Sequence, residues 1–245
     1  MPPKPSPTHF LCVPLVTPAS RPQLVHSLGS FLADVSSPAS FGVPEDAVRP
    51  VGTLHLTLGV FSLPRSESVE RAKELLRSLK PREMLAAAQP PGMPAAAKTE
   101  TKTTTTTTMP PLTVTLRGLE SMQAPSKAAV LYAAPVDPLG TLQGFCEKLR
   151  AAFQEAELMA EESRPLLLHA TILNTVYVRG RRKNARRGER LTIDARGILD
   201  RYEDQVWMED IAVEKIAICR MGAKKIEVDG IVVDAQYVVE EEIPL

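Results

Sequence analysis

One short pattern occurs twice in this chain, and both copies read as β-strand. Thr53–Phe61 is TLHLTLGVF and Pro165–Val178 is PLLLHATILNTVYV. In an extended strand, successive side chains alternate between two faces. Leu54, Leu56 and Leu58 therefore bury one face of the first segment, and His55 and Thr57 share the other. Leu168, Ala170 and Ile172 do the same in the second, opposite His169 and Thr171. Each apolar face needs a sheet and a core to pack on. A chain that presents the same imidazole–hydroxyl pair twice, 114 residues apart, is expected to fold as two similar antiparallel-rich lobes facing each other across a groove. The motif strands are placed centrally, one in each lobe.

The flanking segments supply the rest of an α+β chain with helices between groups of strands. His9–Val16 reads as a strand that Pro14 confines to an edge or ends early. Arg21–Val35 carries Leu24, Leu28, Phe31, Leu32 and Val35 at helical spacing, with His26 as a boundary residue. Ser36–Pro50 is a Ser- and Pro-rich loop. Pro64 ends the first motif strand, and Ser66 caps a helix over Glu67–Lys80. Leu112–Gly118 and Ala128–Pro135 are strands, and Leu139–Met159 is the longest helix. Ile193–Tyr202 is a short helix with Asp194 as its cap. Ile211–Arg220 and Gly230–Val239 are closing strands joined by a turn near Met221–Gly230. Ala86–Pro111 differs in kind: Ala/Pro-rich and then Thr-rich, it has almost no large apolar residue. It cannot bury enough surface to offset its ordering entropy and is expected to be a disordered insertion in one bilobal domain spanning residues 1–245.

Charge and cysteine content narrow the function classes. Lys+Arg and Asp+Glu are equal at 29 each, so any affinity for polyanions must be local. The local candidate is Arg179–Arg190, seven Lys or Arg in twelve residues, read as a solvated loop, a phosphate contact or a nuclear localisation signal. Cys12, Cys146 and Cys219 lack zinc-site spacing and sit in apolar contexts, as buried thiols of an intracellular protein do. No apolar run reaches membrane-spanning length, and the N-terminus does not read as a signal peptide.

Two histidines that titrate near neutrality can serve as the base and the acid of phosphoester cleavage without a metal or other cofactor. A threonine two residues on, held by the same strand, can donate a hydrogen bond to a phosphate oxygen. His55, Thr57, His169 and Thr171 are thus the candidate catalytic residues. Phe61, Tyr132 and Tyr177 are candidate walls for substrate, and Arg179, Arg181 and Arg182 are candidate phosphate contacts. Taken alone, each motif is also what the polar face of any half-buried strand looks like. Metal ligation by the histidines is a further alternative, though no acidic or cysteine partner lies at a suggestive spacing.

The paired HLT and HAT motifs resemble those of the 2H phosphoesterase superfamily, which includes 2′-5′ RNA ligase-like proteins and cyclic phosphodiesterases. Thr8–Leu15, Thr53–Leu63, Leu167–Thr175 and Gly197–Gln205 resemble the phosphoesterase domain of A-kinase anchoring protein 7. The nearest likeness is to the C-terminal domain of activating signal cointegrator 1 complex subunit 1. The resemblance implies a bilobal fold of two antiparallel-rich sheets around a central groove with helices outside. It implies a phosphate seated between His55/Thr57 and His169/Thr171. It also implies activity on RNA ends, 2′,3′-cyclic phosphates or 2′,5′-linked oligonucleotides. The alternative it implies is a non-catalytic nucleotide- or RNA-binding subunit of a transcription-coactivator or DNA-repair complex, in the nucleus or cytoplasm.

Overall fold

The computed structural model describes residues 6–89, 111–161, 164–178 and 191–245. Two four-stranded antiparallel sheets organise them. The first has the order β10 (Val239–Pro244), β7 (Lys215–Arg220), β1 (His9–Pro14), β2 (His55–Phe61). The second has the order β5 (Ala170–Asn174), β4 (Val130–Pro135), β3 (Thr113–Ser121), β6 (Val206–Ala212). A separate hairpin joins β8 (Lys224–Val228) to β9 (Ile231–Gln236). The motif strands β2 and β5 are therefore edge strands of their sheets, not central ones. They are central only to the molecule, because the two edges face each other and touch.

Each sheet contains the same unit, a strand, a helix and an antiparallel strand. In the first half these are β1, α1 (Arg21–Ser36) and β2; in the second they are β4, α4 (Thr141–Glu155) and β5. The helices are exchanged. α1 packs on β6 of the other sheet, and α4 packs on β2 of the first. At the first crossing Phe31 meets Trp207 edge to face, and the Ser27 hydroxyl donates to the Trp207 carbonyl at 2.8 Å. At the second, Phe61 meets Phe153 at 5.3 Å, and a Cβ on Gly59 would collide with the Met159 sulfur. Side chains from both sheets and both helices form one continuous buried core.

Local departures from the expected elements have identifiable causes. β1 does end at Pro14, although it lies inside its sheet. The second motif strand is shorter than expected. His169 lies one residue before β5, yet Leu168, Ala170 and Ile172 are buried and alternate with partly open His169 and Thr171 as the pattern requires. Ser66 does not cap α2 (Ser66–Ser78) but begins it, with extended Arg65 at the cap position. Asp194 accepts the Arg196 N–H at 3.2 Å, one residue ahead of the cap of α5 (Arg196–Arg201). The stretch read as a turn near Met221–Gly230 instead contains β8, and the turn is Asp229–Gly230. Both residues have positive φ, as a two-residue hairpin loop demands. The strand that closes the first sheet is β10, whose acidic VEEEIP sequence hides its alternation. The expected insertion begins at the end of α3 (Pro81–Ala86), and residues 90–110 lie outside the described residues.

Candidate active site

His55 and His169 are held by the same local device. The Nδ1 of His55 bonds the Thr53 carbonyl oxygen at 2.7 Å, and the Nδ1 of His169 bonds that of Leu167 at 2.9 Å. A carbonyl only accepts, so in each ring Nδ1 carries the proton and Nε2 keeps its lone pair in the neutral state. Both tethers run two residues back along the chain, so each ring is fixed by its own strand. The rings lie close enough that charge on His169 lowers the pKa of His55.

The threonines are placed by a second repeated device. Thr57 pairs with Cys12 across β1 and β2, while the next pair is Gly59 with Leu11, leaving Leu58 as an extra residue. Thr171 pairs with Tyr132 across β4 and β5, while the next pair is Leu173 with Leu131, leaving Ile172 extra. Each motif strand thus carries a β-bulge directly after its threonine, which ends the regular alternation there. Among the described residues, neither threonine hydroxyl takes a hydrogen-bond partner, which leaves both available to a ligand.

The bulge corrects one expected wall residue. In a regular strand Phe61 would share the face of His55 and Thr57. The extra residue reverses the parity, and Phe61 enters the core at 1% exposure against Phe153. Tyr132 is also buried. Its ring meets His169 edge to face at 5.4 Å, and its hydroxyl donates to Glu120 Oε2 at 2.7 Å. It backs the imidazole. Burial, reinforced by the Glu120 carboxylate, pushes its phenol up to about 12. Tyr177 stands at the site with 45% exposure. Arg179, Arg181 and Arg182 lie outside the described residues.

Two residues with no sequence signal complete the His55 side. Arg49 is only 9% exposed, and its guanidinium lies 3.8 Å from the centre of the Tyr177 ring. It comes from a strap that crosses between the sheets. Val48 forms a β-bridge with Leu173, and the Arg49 N–H donates to the Ile172 carbonyl at 2.8 Å. Tyr237 lies beside Arg49 and Tyr177, and its ring meets His55 edge to face at 5.2 Å. Phe10 lies against His55 from β1 at 4.8 Å. Desolvation by these rings is the main cause that pushes His55 down to about 4. The charges of Arg49 and His169 act in the same direction, and the Thr53 carbonyl opposes them. A lone arginine and a tyrosine 182 residues downstream of His55 have no spacing that could mark them. Among the described residues, no three His, Cys, Asp or Glu side chains are grouped to hold a metal ion.

Two antiparallel sheets meeting at paired His-x-Thr strands define a 2H phosphoesterase superfamily domain. The chain belongs to the family of the AKAP7 2'5' RNA ligase-like domain, whose model matches residues 7–244. A Schizosaccharomyces pombe relative, uncharacterized protein C15D4.13c, is 30% identical over 113 residues, 46% of this chain. That match spans 50% of the relative, so the chain covers about half the length of the curated protein it resembles. Among solved structures, Escherichia coli LigT complexed with NADP+ is 17% identical with a TM-score of 0.49, covering 99% of both chains. TT0787 of Thermus thermophilus is 18% identical with a TM-score of 0.49, covering 97% of both. A structure described as a phosphoesterase is 18% identical with a TM-score of 0.49, covering 98% of this chain and 99% of the other. No helix among the described residues is long and apolar enough to cross a membrane.

Proposed function

We propose that the chain is a metal-independent phosphoesterase that uses His55 and His169 as base and acid on RNA ends, 2′,3′-cyclic phosphates or 2′,5′-linked oligonucleotides. The observation that carries this reading is the repeated tether. Two imidazoles from facing strands are each bound at Nδ1 to the carbonyl two residues back, leaving each Nε2 for proton transfer. Such transfers typically contribute about 10²–10⁴-fold each. Thr57 and Thr171 donate to the phosphate oxygens. Arg49 supplies a fixed positive charge beside them, and Tyr177 is the exposed ring against which a base stacks.

The unlike surroundings of the histidines divide their roles. His55, held neutral at pH 7 by burial, is the base; His169 is the acid. Turnover of 2′,3′-cyclic nucleotides, 2′,5′-oligoadenylate, 3′-ended RNA and DNA tests the reading against His55→Ala, His169→Ala and the double variant. Loss of about 100-fold or more in each single variant is expected. Equal turnover by wild type and His169→Ala would overturn it. Calorimetry with AMP beside the turnover assay separates the binding alternative: binding that depends on both motifs, with no turnover of any substrate, makes the groove a nucleotide receptor.

A further inference from the structure

β9 turns the usual order of a strand inside out. Ile231, Val232 and Val233 are exposed, while the charged residue after them, Asp234, is only 7% exposed. The inversion comes with the pairing. Glu227 pairs with Val232 and Ile226 with Asp234, which leaves Val233 as an extra residue and a bulge directly before the aspartate. Bulges re-aim side chains, and here the side chain after the bulge is a carboxylate turned inward. A buried carboxylate is costly unless its oxygens are hydrogen-bonded. Oδ1 of Asp234 accepts from the Gly52 N–H at 2.9 Å and from the Ala235 N–H at 2.8 Å, and Oδ2 accepts from Arg21 at 2.5 Å. The hairpin approaches Gly52 so closely that a Cβ there would stand 2.5 Å from the Ala235 carbonyl oxygen.

Gly52 is the middle residue of the turn Val51–Thr53, and the carbonyl that ends this turn is the one that holds Nδ1 of His55. The turn is tied internally: the Thr53 N–H and hydroxyl both donate to the Pro50 carbonyl, at 3.0 and 2.7 Å. A displacement at Gly52 is therefore passed to the Thr53 carbonyl. Three residues beyond Asp234, Tyr237 sets its ring against His55. Two supports of one imidazole, the tether and the ring beside it, thus converge on a single carboxylate. We infer that Asp234 is a positioning residue for His55, holding through Gly52 and Tyr237 the ring orientation that the proposed reaction uses. It acts through backbone and a neighbouring ring and takes no part in proton transfer itself. Arg21 is the minor partner of the arrangement, because its side chain is half-exposed while the two N–H groups are fixed by the backbone. The inference rests on the phosphoesterase reading only where turnover is measured; the state of the ring is read without it.

The test is NMR of the full chain, isotope-labelled at its histidine ring nitrogens, with the His55 signals assigned by His55→Gln. The charged and titratable groups that face His55 are Arg49, His169 and Tyr237, and the positioning variants keep all three. In the wild type, neutral His55 should be protonated at Nδ1 alone. Asp234→Ala should mix the two tautomers and raise the His55 titration midpoint by about one pH unit as water reaches the ring. It should also lower kcat about tenfold with KM little changed. Gly52→Ala, which drives the turn off the hairpin, should do the same. Asp234→Asn keeps an oxygen for the Gly52 and Ala235 N–H groups and should restore the wild-type tautomer and kcat. Arg21→Ala removes only the ion pair and should leave both unchanged. Ser27→Ala, which loses the buried hydrogen bond to Trp207 at the α1–β6 crossing, is the control for stability alone. A wild-type tautomer and midpoint in Asp234→Ala or Gly52→Ala would overturn the inference. So would an Asp234→Asn or Arg21→Ala as impaired as Asp234→Ala, or the same change in Ser27→Ala at an equal loss of melting temperature. If Asp234→Ala does not fold, Gly52→Ala and Asp234→Asn decide. Absence of turnover in the wild type would overturn the phosphoesterase reading and leave the ring measurements to judge Asp234.

Discussion

The His55 and His169 sides of the groove share a backbone plan and differ in almost everything around it. Both histidines are tethered through Nδ1 to the carbonyl two residues back, and both threonines precede a bulge. Yet His55 is enclosed by Phe10 and Tyr237 with a buried guanidinium nearby, while His169 has Tyr132 at its edge. Thr57 faces a small thiol, Cys12, where Thr171 faces a large phenol, Tyr132. The duplicated backbone places two equivalent imidazoles. The unduplicated neighbours, drawn from the 43–50 strap and the C-terminal segment, make them unequal. A reaction that needs one proton acceptor and one donor is served by that division.

The largest test of the contrast is kinetic. His55→Ala and His169→Ala should each lower kcat/KM about 10²–10⁴-fold. Their pH profiles should differ: with His55 as base, wild-type kcat/KM rises through about pH 4 on the acid side. An acid limb that survives His55→Gln in whatever activity remains would break the assignment. Next is stability. The folded state holds His55 near 4 against 6.5 in the open chain, so it resists protonation there. The resulting stabilisation, of order 3 kcal/mol, is complete above about pH 6.5 and is lost as pH falls through about 4. Urea midpoints should fall across that window, and His55→Gln should flatten the slope.

Arg49→Lys sharpens the same contrast more gently. It keeps a positive charge but gives up the planar stack on Tyr177, so KM for a nucleotide substrate should rise about tenfold with kcat little changed. Arg49→Ala removes a charge that depresses His55, so the acid limb should also move to higher pH. The smallest effect is expected for Tyr237→Phe. It removes a hydroxyl beside Arg49 and Tyr177 while keeping the ring against His55, with an effect on stability of no more than about 1 kcal/mol. Chemical denaturation reads that loss, and the acid limb should stay in place.

Strong alternation makes the paired strands, their polar faces and the order of helices legible in the sequence. Pairing partners are not. Nothing in TLHLTLGVF says that β2 lies at a sheet edge, because a strand whose apolar side is buried looks the same in either place. The bulge after Thr57 depends on what β1 offers opposite it, so unbroken periodicity puts Phe61 on the wrong face. β8 and β10 are hidden because lysines and glutamates occupy their exposed positions and mask the period of two. Arg49 and Tyr237 meet only through tertiary structure; they lie 188 residues apart, Arg49 in a stretch that reads as loop and Tyr237 in one that reads as a closing strand.

The exchange of helices between the halves governs the order in which the protein can be made. Leu24, Leu28 and Phe31 of α1 are buried, and the strand they pack on ends at Ala212. During synthesis the first helix therefore leaves the ribosome long before its resting place exists. Pairings this distant in sequence close slowly. An amino-terminal fragment would carry the His55 motif on a sheet that still lacks β7 and β10, with an apolar helix uncovered beside it. The duplicated plan gives two similar halves but no self-sufficient half, and the nascent chain is a natural client for chaperones until its last quarter emerges.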